Sequence, residues 1–184
     1  MDERAQRIEE IEALAFADLG QAARGLQPLD LHQHATKGAL ISVASGDPHF
    51  LINRVIGLGA REPGTRETIA TFKRMFADAN IGRYFVHVHP DSQPAELKTW
   101  LAEEGLTPHR RWMTFIHNGS DVPDSGSDLE VRQIGPDHGE DFGKIVAAGF
   151  DLSAFDFCLL LDLLGSTGDE SVVEAVEIVP DFFL

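Results

Sequence analysis

Between residues 49 and 89 the chain reads strand, helix, strand, and this order constrains the fold more than any other feature. The first stretch, 49–58 (His-Phe-Leu-Ile-Asn-Arg-Val-Ile-Gly-Leu), is strand-like. A helix is expected from 65 to 79: Thr65 caps it, Glu67 suits its first turn, and Ile69, Phe72 and Phe76 share one face. Asn80-Ile81-Gly82 stops it. Arg83-Tyr84-Phe85-Val86-His87-Val88-His89 is the clearest strand, rich in β-formers and ended by Pro90. A strand–helix–strand crossover implies at least one parallel pair, so the expected fold is α/β: a mixed sheet flanked by helices.

The flanking segments extend this pattern. A helix is expected over 2–24, with Ile8, Ile11, Ala15 and Leu19 at helical spacing and Gly25 and Pro28 ending it. Residues 39–45 are strand-like, and Gly46-Asp47-Pro48 is turn chemistry, so 39–45 and 49–58 are expected to form a hairpin. A further helix is expected from 94 to 104, with Pro94 at its first position, Leu97, Trp100 and Leu101 on one face, and Gly105 just past its end. A strand is expected over 110–117.

The charge is unevenly placed. Of 15 Lys+Arg and 30 Asp+Glu, residues 1–119 hold 13 and 15 (net −2) and residues 120–184 hold 2 and 15 (net −13). Such asymmetry marks a boundary, and 118–128 is almost all turn formers and acids, with Val122 its one apolar residue. The chain is therefore read as a unit over 1–117, an acidic linker over 118–128, and the start of a second unit over 129–184. A net charge of −15 argues against nucleic acid and anionic membrane surfaces as partners. One cysteine, Cys158, excludes an internal disulfide and a CxxC zinc site. Met1-Asp2-Glu3 lacks the basic and apolar regions of a secretory signal, and the run 157–161 is too short to span a bilayer. A cytoplasmic location is expected.

Three stretches carry a family resemblance. They are Asn53-Arg54-Val55-Ile56-Gly57-Leu58-Gly59 with the helix and strand that follow; Trp100-Leu-Ala-Glu-Glu-Gly-Leu106 followed by Arg110-Arg111-Trp112-Met113; and Leu129-Glu-Val-Arg-Gln-Ile-Gly-Pro-Asp-His-Gly-Glu-Asp-Phe142. In order and spacing they resemble the GNAT superfamily of acetyl-CoA-dependent N-acetyltransferases, in its tandem form. The resemblance implies a degenerate GNAT-like first half and an incomplete second GNAT-like unit. It also implies acetyl-CoA as cofactor and a small amine as acyl acceptor. In that family an Arg/Gln-x-x-Gly-x-Gly/Ala loop at a helix N-terminus cradles the coenzyme pyrophosphate with backbone N–H groups. Arg54, Gly57 and Gly59 match the loop literally and are the candidate cofactor-binding residues. However, Ala60-Arg-Glu-Pro-Gly64 intervenes before the helix, whereas in the family the last glycine lies in the first helical turn. The family's tyrosine, four positions before the glycine that ends the later helix, is replaced by Leu101. Beyond residue 129 no second such loop occurs. The catalytic residues stay unknown, and acetyl transfer is expected to be weak or absent.

Other chemistry-bearing residues have simpler readings beside their functional ones. His32/His34 and His87/His89 are i, i+2 pairs that would share one strand face and, with Asp30 or Asp91, resemble metal ligands; the simpler reading is surface pairs. No metal site is therefore assigned. Ser45 and Ser92 lack a nucleophile elbow, and Cys158 lies in an apolar run. Tyr84 reads as a packing residue. Lys73-Arg74, Arg110-Arg111 and Glu103-Glu104 read as solvated charges, the last unfavourably placed at a helix end. The alternative to an acetyltransferase-like protein is a non-catalytic α/β module that associates with itself as a homo-oligomer, or with a partner, through its unfinished half.

Overall fold

The crossover that the sequence implies sits at the centre of a six-stranded mixed sheet. The computed structural model describes residues 1–22, 29–36 and 38–112, the single positions 138, 141, 144, 145, 148 and 149, and the backbone of 181–183. In chain order the elements are α1 (Glu3–Ala22), β1 (Leu31–Thr36), β2 (Ala39–Ala44), β3 (Arg54–Ile56), α2 (Arg66–Asp78), β4 (Phe85–Val88), α3 (Leu97–Glu103), β5 (Pro108–Arg111) and β6 (Asp181–Phe183). The sheet order is β1-β2-β3-β4-β6-β5. The β3–β4 pair is parallel, with Arg54 opposite Phe85 and Val55 opposite Val86; the other pairs are antiparallel.

The chain divides into two units, Met1–Met113 with Ile178–Leu184, and Thr114–Glu177. The expected linker at 118–128, the rest of the expected second unit apart from β6 and the scattered positions named above, the helix end at Gly25 and Pro28, and Cys158 all lie outside the described residues.

α2 forms as its sequence dictates. Thr65 is extended, and its hydroxyl accepts a 3.0 Å hydrogen bond from the Thr68 N–H. Ile69, Phe72 and Phe76 then fall on one face and pack, fully buried, against Ile41, Val43, Val55, Val86 and Val88 of the sheet. Leu97 and Leu101 of α3 complete this dry layer. Tyr84 stacks on Phe76 at 3.8 Å between ring centroids and meets Phe72 edge-on. The acids at the end of α3 are matched from α2: Arg66 Nη2 lies 2.6 Å from Glu103 Oε2, and Lys73 Nζ donates to Glu104 Oε2 at 2.7 Å and to the Glu104 carbonyl at 2.8 Å. A cation thus sits on the helix carboxyl end, where the dipole favours it.

Several expected boundaries are corrected. The stretch read as a strand from 49 is a turn up to Asn53, and only 54–56 pair. Asn53 causes this: its buried side chain accepts from the Ala44 N–H and donates to the carbonyls of Asp47 and His49, which ties the chain into a loop. Pro94 precedes α3 rather than opening it: the helix begins at Leu97, with Glu96 in the cap position. The last strand of the first half is 108–111 rather than 110–117, with residues 113–117 outside those described. β1 was not expected as a strand; its residues are half-buried or exposed along an edge.

Since Phe72 is fully buried at the centre of the dry layer, Phe72→Ala is expected to cost about 3–5 kcal/mol of unfolding free energy, read as a shifted denaturant midpoint.

Candidate functional site

Strand alternation gives the sheet a second face of different character. Val55, Val86 and Val88 point into the dry layer, so Arg54 and His87 point the other way, beneath α1. Arg54 is 7% exposed and His87 2%. Buried charge of this kind needs a partner, and α1 provides it. Glu12 Oε1 lies 3.6 Å from Arg54 Nη1 and 3.4 Å from His87 Nδ1. The Arg54 guanidinium also sits 4.4 Å over the Phe16 ring, one turn along the same helix.

This pairing sets how α1 is rotated. Ile8, Ile11, Ala15 and Leu19 were expected to form its buried stripe. Leu19 is buried and Ile8 half-buried, but Ile11 is 55% exposed and Ala15 is exposed, while Ala5 and Glu9 are buried, Glu12 and Phe16 are half-buried and Leu14 is 64% exposed. The physical reason is that an unpaired Arg54 beneath an apolar helix face would cost more than exposing two aliphatic side chains.

The electrostatics follow from burial. Burial pulls the His87 imidazole below its ordinary range, outweighing the favourable Glu12 carboxylate, and the Arg54 and Arg110 charges add to the fall. His87 is therefore neutral at pH 7, with Nδ1 facing the carboxylate. Burial pushes the Glu12 carboxyl up, but the His87 hydrogen bond and the Arg54 charge hold it below the usual range. Arg54 is drawn down to about 10, first by burial, and stays charged. Glu9, 4% exposed, is pushed up to about 7 by burial and then by the neighbouring Glu12 charge. Its Oε2 has no hydrogen-bond partner among the described residues.

The glycine loop lies at the carboxyl end of β3, where open parallel sheets take ligands. Gly57 and Gly59 both have left-handed backbones, φ +78° and +76°. Their open sides are filled by protein. A Cβ on Gly57 would lie 3.0 Å from the Gly38 carbonyl oxygen, and one on Gly59 would fall on the Gln93 carbonyl oxygen. Gln93 binds this loop through both backbone groups: its N–H donates to the Gly59 carbonyl at 2.8 Å, and its carbonyl accepts from the Gly64 N–H at 2.7 Å. The Ala60 N–H donates to the Gly57 carbonyl. Arg54, the first residue of the motif, is committed to Glu12 on the sheet face. The Arg54 side chain therefore serves α1, while Gly57 and Gly59 lie against the Gly38 and Gln93 backbones.

The remaining candidates are dispersed. His89 is mostly buried, and its Nδ1 accepts from the Asp91 N–H at 3.0 Å, so His87 and His89 serve different partners. His32 pairs with Asp30 at 3.0 Å, and the Ser45 hydroxyl donates to the same carboxylate. Among the described residues no three of His, Cys, Asp and Glu converge as metal ligands would. Ser92 Oγ is buried without a partner among the described residues. Glu9 and Glu12 were missed as candidates. The available signal was two acids, three residues apart, on a helix expected to pack on a sheet that carries Arg54 and His87.

No protein-family model, curated protein or solved structure matches the chain.

Two outcomes follow from this geometry. The folded state holds the Glu9 proton to about pH 7, against about 4.5 when unfolded, so it binds more protons between these values and stability falls as pH rises through them. Glu9→Gln removes that loss and is expected to stabilise the protein by about 3 kcal/mol at pH 8 and by little at pH 4, read by denaturant titration at both. Gly59→Ala is expected to cost about 2 kcal/mol or more, while Gly82→Ala, whose added Cβ meets nothing within 4 Å, stays within about 0.5 kcal/mol.

Proposed function

We propose that this chain is a GNAT-like protein that does not use acetyl-CoA at its glycine loop: acetyl transfer to an amine is weak or absent, and the described unit serves as an α/β binding module. The GNAT likeness is supported by the β3–α2–β4 crossover, with Arg54-x-x-Gly57-x-Gly59 at the carboxyl end of a parallel strand and a capped helix after it. The single observation that carries the loss of coenzyme use is Gln93. Its backbone fills the open side of Gly59, donates to the Gly59 carbonyl and takes the Gly64 N–H, so the loop is closed by the chain itself. An anion entering there must first break hydrogen bonds that the chain makes with itself.

The module reading has its own support in α1. Ile11 and Leu14 are exposed beside a buried carboxylate, an inversion that a helix serving only to cover a sheet would not keep. No helix among the described residues is long and apolar enough to cross a membrane.

Calorimetric titration of acetyl-CoA into the full chain is expected to give a dissociation constant above about 1 mM, weaker than the usual span of substrate constants. Micromolar binding would overturn the closed loop and restore the acetyltransferase reading.

A further inference from the structure

The outward face of α1 carries a pattern of its own. Arg4, Arg7, Ile11, Leu14, Asp18 and Gln21 recur at alternating spacings of three and four, so they form one stripe along the helix, and all six are exposed. This is the spacing of a seam along which two helices pair side by side. Ile11 and Leu14, at its middle, are 55% and 64% exposed. The residues that hold α1 to the sheet, Glu9, Glu12 and Leu19, lie off this stripe.

The two ends of the stripe carry opposite charge. Arg7 stands one turn before the apolar pair and Asp18 one turn after it, and neither makes an ion pair among the described residues. The acids Glu10 and Glu12 of α1 are matched within the chain, by Arg61 and Arg54. A twofold axis between Ile11 and Leu14, perpendicular to the helix, sets Ile11 against Leu14 of a second copy and Arg7 against Asp18 of that copy, each contact occurring twice. Arg4 then faces Gln21. A parallel pairing would set Arg7 against Arg7 and Asp18 against Asp18, which like charges oppose. A partner of one charge sign would be opposed at one end of the stripe. A second copy run antiparallel matches both ends and covers the apolar centre.

We propose that two copies of this chain pair through α1, antiparallel across a twofold axis, with Ile11 and Leu14 at the centre of the contact and an Arg7–Asp18 pair at each end. The inference rests on the binding-module reading and names its partner. Micromolar acetyl-CoA binding would overturn that reading without changing the mass of the protein in solution. A monomer would overturn the pairing without opening the glycine loop, so the two failures are distinct. One helix face per copy is less than a standard interface, so the dimer is expected to be weak.

The test is sedimentation equilibrium of the full chain at concentrations up to about 1 mM, where a monomer–dimer equilibrium with a dissociation constant on the order of 10–100 μM is expected. Leu14→Glu is expected to remove the dimer and leave the circular dichroism unchanged, because Leu14 is already 64% exposed in the folded chain. Arg7→Glu sets like charges together at both ends, as does Asp18→Arg, and each is expected to weaken the dimer about tenfold. The double variant Arg7→Glu/Asp18→Arg exchanges the charges and is expected to recover the original affinity. An equimolar mixture of the two single variants is expected to form a heterodimer of that same affinity, since every end then pairs an acid with an arginine. A chain that stays monomeric throughout, undiminished association of Leu14→Glu, or a double variant as weak as the single ones would each overturn the proposal.

Discussion

Glu12 lying between Arg54 and His87 is the contact on which the arrangement of the described unit depends. A helix has one rotation about its axis, and residues three apart share a stripe. Once Glu12 faces the sheet, Glu9 is carried to the same side, and Ile11 and Leu14 are carried away from it. Both stripes cannot be buried against one sheet. The charge on Arg54 decides between them, because leaving a buried guanidinium unpaired costs several kcal/mol, while two partly exposed aliphatic side chains cost less.

The sheet tolerates this because its two faces divide the work. Strand alternation sends Val55, Val86 and Val88 to the α2–α3 side, where Phe72 and Phe76 make a layer without charge. That layer supplies the hydrophobic stabilisation. The opposite face holds Ser42, Arg54 and His87, each buried, and α1 brings the Glu12 carboxylate to Arg54 and His87.

The sequence was most legible where the cause of structure is local. α2 could be read from its cap, its first-turn acid and its apolar stripe, and β4 from its β-formers, because each signal lies within the segment it describes. The parallel pairing followed from their order. It was least legible where a distant group decides. Leu-His-Gln-His-Ala-Thr gives β1 little β-propensity, and the strand exists because β2 offers it a register from Leu31 opposite Ala44 to Thr36 opposite Ala39. Residues 49–53 have strand composition, but the Asn53 side chain binds the backbone of three other residues and holds them in a turn. The apolar spacing of α1 holds at Leu19 and fails at Ile11 and Ala15, since spacing carries no information about which charges wait on the sheet. The buried Glu9–Glu12 stripe was hidden for the same reason.

The glycine motif shows how a literal match and its physical role separate. Glycine at Gly59 admits a left-handed backbone and a close neighbour. That close neighbour is the Gln93 backbone, joined to the loop by two hydrogen bonds. This contact is tied to the core. Leu97 follows Gln93 by four residues, is 1% exposed, and would lie 2.9 Å from a Cβ placed on Gly59. Its side chain belongs to the dry layer with Leu101 and Phe72. Withdrawing Gln93 to admit an anion would therefore pull on a core residue, at a cost in buried area as well as in hydrogen bonds. The packing that stabilises α3 is thus the same packing that closes the loop.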